Sequence, residues 1–428
     1  MTIAIFIISF LVFLLIGVPV TFALGATSML TGAYLWGIEG IPLATFAQRA
    51  VSGVNNFTTL AIPLFLICGK LMNRGNITNK IFALAQDLVG RFHGGLGYVN
   101  ILASVIFAGM SGSAPADAAG LGQIEIKAMT ENGFDKEFSA AVTGSSALIS
   151  PIIPPSVSMV MYGVLTGTSV SALFMGGVIP GVLMAVGMGA VVFYYSVKRQ
   201  YPRTAPPDIK KFLKDLRAAI FPLLGPVIIV GGIWSGYFTP SESAAVAVLY
   251  MIILCTVFYR TMTVKDLWDL FKESLVDCTS ILMVMATVSV YGYVLNLTNV
   301  PKLLAQAILK VTNNPTLIML LLMVFLLIIG CFMSTMQSII LFTPIFLPLL
   351  QAANVNLMVF GVVMCITLAI GQMTPPFGTV LFITTKVANV PLDRLVKASL
   401  PFMAMVIVTI LMCIFIPQIV TFLPSVFM

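Results

Sequence analysis

Apolar residues run through this chain in long stretches separated by short polar interruptions: Ile3 to Leu35, Leu96 to Met110, Ser139 to Val164, Leu173 to Val197, Ile220 to Phe238, Ala244 to Tyr259, Ile281 to Leu297, Leu317 to Phe332, Val355 to Met373 and Ser399 to Phe427. A hydrocarbon layer of ~30 Å takes about 20 helical residues to cross, so the pattern predicts an all-α polytopic membrane protein. Ile3 to Leu35 lacks a basic leading segment and a small-residue cleavage site, so it is read as a retained first helix. Several runs are too short to cross. Tyr98 to Met110 meets Ala114 to Met129 through Ser111, Gly112 and Ser113, and Leu317 to Phe332 meets Gln337 to Leu350 through Met333, Ser334 and Thr335. Each pair predicts a re-entrant helical hairpin that enters and leaves on one side, with its tip buried in protein or lining a wet cavity.

The two hairpins belong to a repeat. Adding 221 takes Pro19 to Pro240, Gly109 to Gly330, Ser113 to Ser334, Pro154 and Pro155 to Pro375 and Pro376, and Pro180 to Pro401. Residues 1–200 are therefore read as one repeat, with a hairpin at about 94–130 and a broken helix at about 137–166. Residues 218–428 form the second, with a hairpin at about 315–351 and a broken helix at about 356–388, and 201–217 are a linker. Corresponding segments interrupted by Pro and Gly are the sequence mark of a secondary transporter with inverted-topology repeats.

Proline has no N–H and displaces the carbonyl four residues earlier, so the paired prolines free the carbonyls of Ser150 and Pro151 and of Gly371 and Gln372, with Ile153 and Thr374 unwound. A small hard cation prefers oxygen ligands. The first candidate sodium site is Ser111, Ser113, Ser150, Pro151, Ile153 and Pro155; the second is Gly330, Ser334, Thr335, Gly371, Gln372, Thr374 and Pro376. Helices starting near Ser113, Thr335, Ser156 and Gly378 would point positive dipole ends at one region. Ser113, Asp117, Ser145, Ser156, Gly378 and Thr379 are accordingly the candidate contacts for a carboxylate-bearing solute. Asp117, Glu242 and Asp277 are the acidic residues read at membrane depth, Glu242 with an alternative as a helix cap after Thr239.

Composition agrees with the pattern: 59% of the 428 residues are hydrophobic and 9% charged, too few charges to cover a water-soluble surface. The net charge of +7 has a topological reading instead of a nucleic-acid one. Seven of the 22 Lys and Arg, from Lys198 to Arg217, mark a cytoplasmic linker; no basic residue precedes Arg49 and no charged residue follows Lys397, which places both termini on the outer side. The six cysteines lie in apolar sequence without a CxxC pair, and the one histidine, His93, sits beside Arg91 at an interface. Gly69-Lys70 continues into Leu71, so no phosphate-cradling loop for an ATPase exists, and no HExxH or GxSxG set supports a membrane enzyme. Transport powered by an ion gradient or by a partner remains, with no cofactor; an ion channel or another kind of secondary transporter is the alternative.

The runs GMSGSAPADAAGLGQ (Gly109 to Gln123), SSALISPIIPPSVSMVMYG (Ser145 to Gly163), TPSESAAVAVLY (Thr239 to Tyr250) and GQMTPPFGTVLFITTKVANVPL (Gly371 to Leu392) resemble the large membrane subunit of the tripartite ATP-independent periplasmic (TRAP) transporters over essentially the whole chain. That resemblance implies an elevator-type, sodium-driven uptake system in the bacterial inner membrane. It also implies a small four-helix membrane subunit, and a periplasmic binding protein that delivers an organic acid such as sialic acid or a C4-dicarboxylate. Because the chain begins at the Gly17-Val18-Pro19 helix, the small subunit is expected to be a separate polypeptide. The second hairpin reads CFMSTMQS (Cys331 to Ser338) where an acidic residue near Ser334 is common in relatives, so no carboxylate ligand is carried over to the second cation site.

Overall fold

The computed structural model describes residues 2–203 and 208–428, and the regular elements among them are helices. The first half contains α1 (Thr2–Leu15), α2 (Val20–Trp36), α3 (Leu43–Val54), α4 (Ala61–Arg74), α5 (Ile77–Val89), α6 (Gly95–Ser111), α7 (Ala114–Glu131), α8 (Lys136–Ala147), α9 (Val157–Thr166) and α10 (Val170–Lys198). The second contains α11 (Ile209–Trp234), α12 (Pro240–Ile253), α13 (Val264–Leu297), α14 (Val300–Val311), α15 (Pro315–Gly330), α16 (Thr335–Ala352), α17 (Leu357–Gly371), α18 (Thr379–Ala388), α19 (Leu392–Phe415) and α20 (Gln418–Phe427). Among the described residues six helices are long and apolar enough to cross a membrane, α10, α11, α12 extended to Phe258, α13, α16 and α19, and the bent pair α3 and α4 makes a seventh if taken as one span. α16, expected as an arm too short to cross, is long enough because it starts at Thr335 and runs on from Leu350 to Ala352. Large apolar side chains such as Phe193, Val227, Leu275 and Leu400 point outward from these helices, as they do where the solvent is lipid. The chain is a polytopic helical membrane protein.

Helix starts recur at the spacing of the sequence repeat: α7 and α16, α8 and α17, and α3 and α13 each begin 221 residues apart. The starts are set locally. Thr263 with Asp266, and Ser334 with Gln337, each form a capping box in which side chain and backbone exchange bonds across the first turn. Thr239 and Glu242 do the same for α12, so Glu242 is a cap. The halves are not identical. α3 and α4 meet at a 59° bend, whereas their counterpart α13 is one unbroken 34-residue helix.

Packing sorts the helices into two groups that each draw on both halves. In one, α7 lies on α18, α8 on α18 and α19, α9 on α16 and α17, and α10 on α17, α19 and α20. Tyr162 Oη of α9 donates to the Leu357 carbonyl at the head of α17 (2.8 Å). In the other, α13 packs across α2, α3 and α4, α12 lies on α4, and α11 on α5. The Cβ that Gly53 lacks would stand 2.5 Å from Ser289 Cβ, which fixes how closely α3 crosses α13.

The linker expected over 201–217 is in part helix, because α11 starts at Ile209 and carries Lys210, Lys211, Lys214 and Arg217 on its first turns. Apolar Ile209, Phe212, Leu213 and Leu216 at helical spacing outweigh the charges. Residues 204–207, with Pro206 and Pro207, lie outside the described residues. Asp135 Oδ2 accepts from Arg199 Nη1 (2.5 Å) and from Tyr201 Oη (2.6 Å). Burial pushes the Tyr201 hydroxyl up to about 12, so it remains a donor at neutral pH.

Candidate functional site between the hairpin tips

Four helices begin around one cavity of about 170 Å³. Its wall is made by Ser113, Ala114 and Pro115 from the start of α7, Ser334, Thr335 and Met336 from the start of α16, Val157 and Ser158 from α9, and Thr379 from α18, with Pro151 and Gln372 from the two breaks. The ends of these helices face it with first-turn N–H groups that have no carbonyl in their own helix to bond. No basic residue lines this cavity among the described residues. The breaks that separate α8 from α9 and α17 from α18 contain cis peptide bonds at Pro154-Pro155 and Pro375-Pro376.

Glycines let backbone approach backbone here. Gly112 closes α6 at φ +59°, and a Cβ there would lie 2.6 Å from the Pro155 carbonyl oxygen, so the first hairpin turn rests on the first break. Gly371 touches the backbone of Gly330 so closely that a Cβ would come within 2.3 Å of its carbonyl group, and Phe377 N donates to Cys331 O at 3.1 Å. Gly378, ahead of α18, would place a Cβ 2.7 Å from Gln372 O and 2.8 Å from Thr374 O.

The residues read from the sequence as first-site ligands gather at the first turn and first break. Ser111 Oγ is buried without a hydrogen-bond partner among the described residues. The Ser150 carbonyl stands four residues before Pro154, which has no N–H to offer. Pro151 O accepts from Ser156 Oγ (2.5 Å), which in turn caps α9 by accepting from Met159 N (3.2 Å). Ile153 turns its side chain toward Gly181 of α10, and Pro155 supplies the carbonyl under Gly112. At the second break the carbonyls expected to be free already have protein partners: Gly371 O accepts from Thr374 N and Gln372 O from Leu381 N, both at 3.1 Å. A carbonyl has two lone pairs, so one bond leaves room for a cation. Gln372 Nε2 donates to Thr335 Oγ1 (2.6 Å), which donates to Leu368 O (3.2 Å), and Thr379 Oγ1 reaches Gln372 Oε1 at 3.4 Å. Thr374 Oγ1 turns back to Ile370 O (2.9 Å), and Pro376 is exposed. Ser334 Oγ is occupied as the cap of α16.

Of the candidate solute contacts, Ser113 and Thr379 line the cavity. Asp117 does not: it is buried in the first turns of α7 and its Oδ2 accepts from Ser150 Oγ at 2.6 Å, which ties the hairpin to the break. Ser145 is buried on α8 with its Oγ unpartnered among the described residues. Asp277 is no isolated intramembrane acid. Its side chain is 51% exposed and pairs with Lys70 Nζ (2.5 Å), beside Glu273, which pairs with Lys70 and Arg74. His93 is exposed and lies against Arg203. Sequence reasoning missed Glu125, buried on α7 two turns beyond Asp117, with both oxygens unpartnered among the described residues. Its i, i+8 spacing from Asp117 was the available signal.

Residues 7–419 match the family model described as tripartite ATP-independent periplasmic transporter, DctM component. The chain belongs to this family. It is 38% identical, over 96% of both chains, to the sialic acid TRAP transporter large permease protein SiaM of Vibrio cholerae. It is 32% identical to the C4-dicarboxylate TRAP transporter large permease protein DctM of Pseudomonas aeruginosa, over 86% of this chain and 87% of that one. The fold is also that of Neisseria gonorrhoeae MtrF, solved within a class of antimetabolite efflux pumps, with a TM-score of 0.59 and 12% identity over 87% of this chain and 85% of MtrF. As a TRAP large permease the chain is a transporter and not an enzyme.

Proposed function

We propose that this TRAP large permease is the transport subunit of a sodium-coupled uptake system for a small carboxylate-bearing solute of the sialic acid or C4-dicarboxylate type. The observation that carries the reading is the convergence of four helix starts on one cavity without a basic side chain. A helix N-terminus favours an anion by about 0.3–1 kcal/mol when exposed and up to ~2 kcal/mol when partly buried, so several together replace a buried cation. The oxygen-rich turns beside it, Ser111 with the Ser150 and Pro151 carbonyls and Thr335 with the Gly371 and Gln372 carbonyls, suit sodium and no softer ion. A small four-helix membrane subunit braces the group formed by α2–α5 and α11–α13. A periplasmic binding protein delivers the solute, both termini face the periplasm, and the hairpin-bearing group moves as an elevator through the inner membrane.

The test is accumulation of N-acetylneuraminate and of succinate in proteoliposomes containing the chain with its partner subunit and binding protein. An inward sodium gradient drives uptake of one of them and drives counterflow of the labelled acid. Equal accumulation when potassium replaces sodium at fixed membrane potential defeats the sodium assignment, and ion current without counterflow indicates a channel.

A further inference from the structure

The cavity between the hairpin tips does not stand alone. A second space, of about 470 Å³, shares Ile281, Ser334 and Met336 with it and runs between α2, α13 and α16. A third, of about 480 Å³, shares Ile340 with the second. The third space is walled by α3 and α13 on one side and by the end of α9 and the middle of α16 on the other, so it lies between the two helix groups. It sits along α13 from Met285 to Leu297, well beyond the Glu273 and Asp277 cluster. The one charged residue in its wall is Arg49. The Arg49 guanidinium lies 5.1 Å from the centre of the Tyr293 ring, and it has no ion-pair partner among the described residues. Ser289 and Asn296 add a hydroxyl and an amide to the same wall.

We propose that this third space is a receiving site for the solute, in which Arg49 takes a carboxylate of a small organic acid before it passes Ile340 toward the hairpin tips. The proposal rests on the uptake reading for the identity of its cargo. Guanidinium presents a rigid fork that matches a carboxylate with two parallel bonds. The Tyr293 ring lies against the guanidinium, and no carboxylate among the described residues pairs with its N–H groups, which leaves them for an anion. Asn296 and Ser289 can bond a hydroxyl or amide on the remainder of the solute. Arg49 is exposed, so attraction is moderate and speeds arrival without trapping the cargo.

The experiment measures modification of Arg49 by phenylglyoxal in the purified full chain, held in a phosphate-free maltoside detergent and read by peptide mass spectrometry. Sodium acetate is compared with sodium chloride at equal ionic strength, and N-acetylneuraminate with uncharged N-acetylmannosamine. The carboxylates slow labelling of Arg49 about tenfold, equivalent to ~1.4 kcal/mol, and leave Arg394 unchanged. Equal labelling of Arg49 in all four solutions overturns the proposal. So does protection by added phosphatidylglycerol but by neither carboxylate, which marks a lipid-headgroup site. In the complete transporter, Arg49→Gln raises KM about tenfold with kcat kept, and Arg49→Lys recovers part of the loss. A parallel fall in kcat and thermal stability in both variants assigns Arg49 a structural role on Tyr293 and removes the proposal. Absence of sodium-driven uptake by the wild type counts against the uptake reading alone, because the labelling arm still decides whether Arg49 binds carboxylates.

Discussion

Gly378 and Ser111 test different properties of the site. A methyl group at Gly378 meets two carbonyl oxygens at 2.7 and 2.8 Å, so Gly378→Ala pushes the start of α18 away from Gln372. Transport is expected to fall by an order of magnitude or more, since a displacement near 1 Å can cost about a hundredfold. Thr379→Ala, which loses only a 3.4 Å contact, retains most activity; initial uptake rates at matched expression give the ranking, and the reverse ranking rejects the packing argument. Ser111→Ala removes a buried oxygen that has no protein partner among the described residues. Folding is therefore unharmed or slightly improved, while the sodium concentration for half-maximal uptake rises about threefold to tenfold if that oxygen ligates the ion. An unchanged sodium dependence takes Ser111 out of the site. Asp277 is a contrasting case. Its half-exposed pair with Lys70 contributes at most about 1 kcal/mol, so Asp277→Asn leaves transport intact with a small drop in thermal stability, and a transport-dead but folded Asp277→Asn shows that exposure is a poor guide here.

At the scale of elements, what could be read from the sequence depended on how strongly a residue type restricts the backbone. Ser111-Gly112-Ser113 and Pro375-Pro376 interrupt apolar runs with residues that weaken or break a helix, and the observed bounds of α6, α7, α15 and α16 lie within a residue or two of the segments expected there. The bend between α3 and α4 was not legible. Asn55-Asn56-Phe57 carries no proline, and its counterpart in the other half continues as the unbroken α13. Nor was the burial of Glu125. The i, i+8 spacing puts Glu125 on the same face of the hairpin arm as Asp117, but whether that face is enclosed depends on the packing of α7 against α6, α8 and α18. The carbonyl partners at the second break were invisible for the same reason, since Leu381 N reaches Gln372 O only after α18 folds back.

Taken as a whole, the molecule offers a direct test of whether its two helix groups move against each other. Gly109 on α6, which packs on α7, α8 and α10 of the hairpin-bearing group and meets α5 and α11 of the other, faces Pro226 on α11 across the boundary, and a Cβ at Gly109 would lie 3.0 Å from Pro226 Cβ. Gly187 and Met405, on α10 and α19, belong to the same group, with a corresponding distance of 3.3 Å. Both approach the separation of about 3.5–4.5 Å that a disulfide bridges. In a background lacking the native cysteines, the oxidised Gly109→Cys/Pro226→Cys pair is expected to stop uptake, and reduction restores it. The oxidised Gly187→Cys/Met405→Cys pair transports. Full uptake by the oxidised Gly109/Pro226 pair means that the groups do not slide.

The size of the space between the hairpin tips has a consequence for leakage. About 170 Å³ is well under the ~300–1,000 Å³ of ordinary small-molecule pockets. Admitting an organic acid must therefore create volume by lifting a tip from contacts as tight as Gly112 on Pro155 and Gly371 on Gly330. A tip that lifts only for cargo would keep the membrane electrically insulated at this point between loading events, so that an ion gradient coupled to uptake, as proposed, is not dissipated by a subunit that waits without cargo.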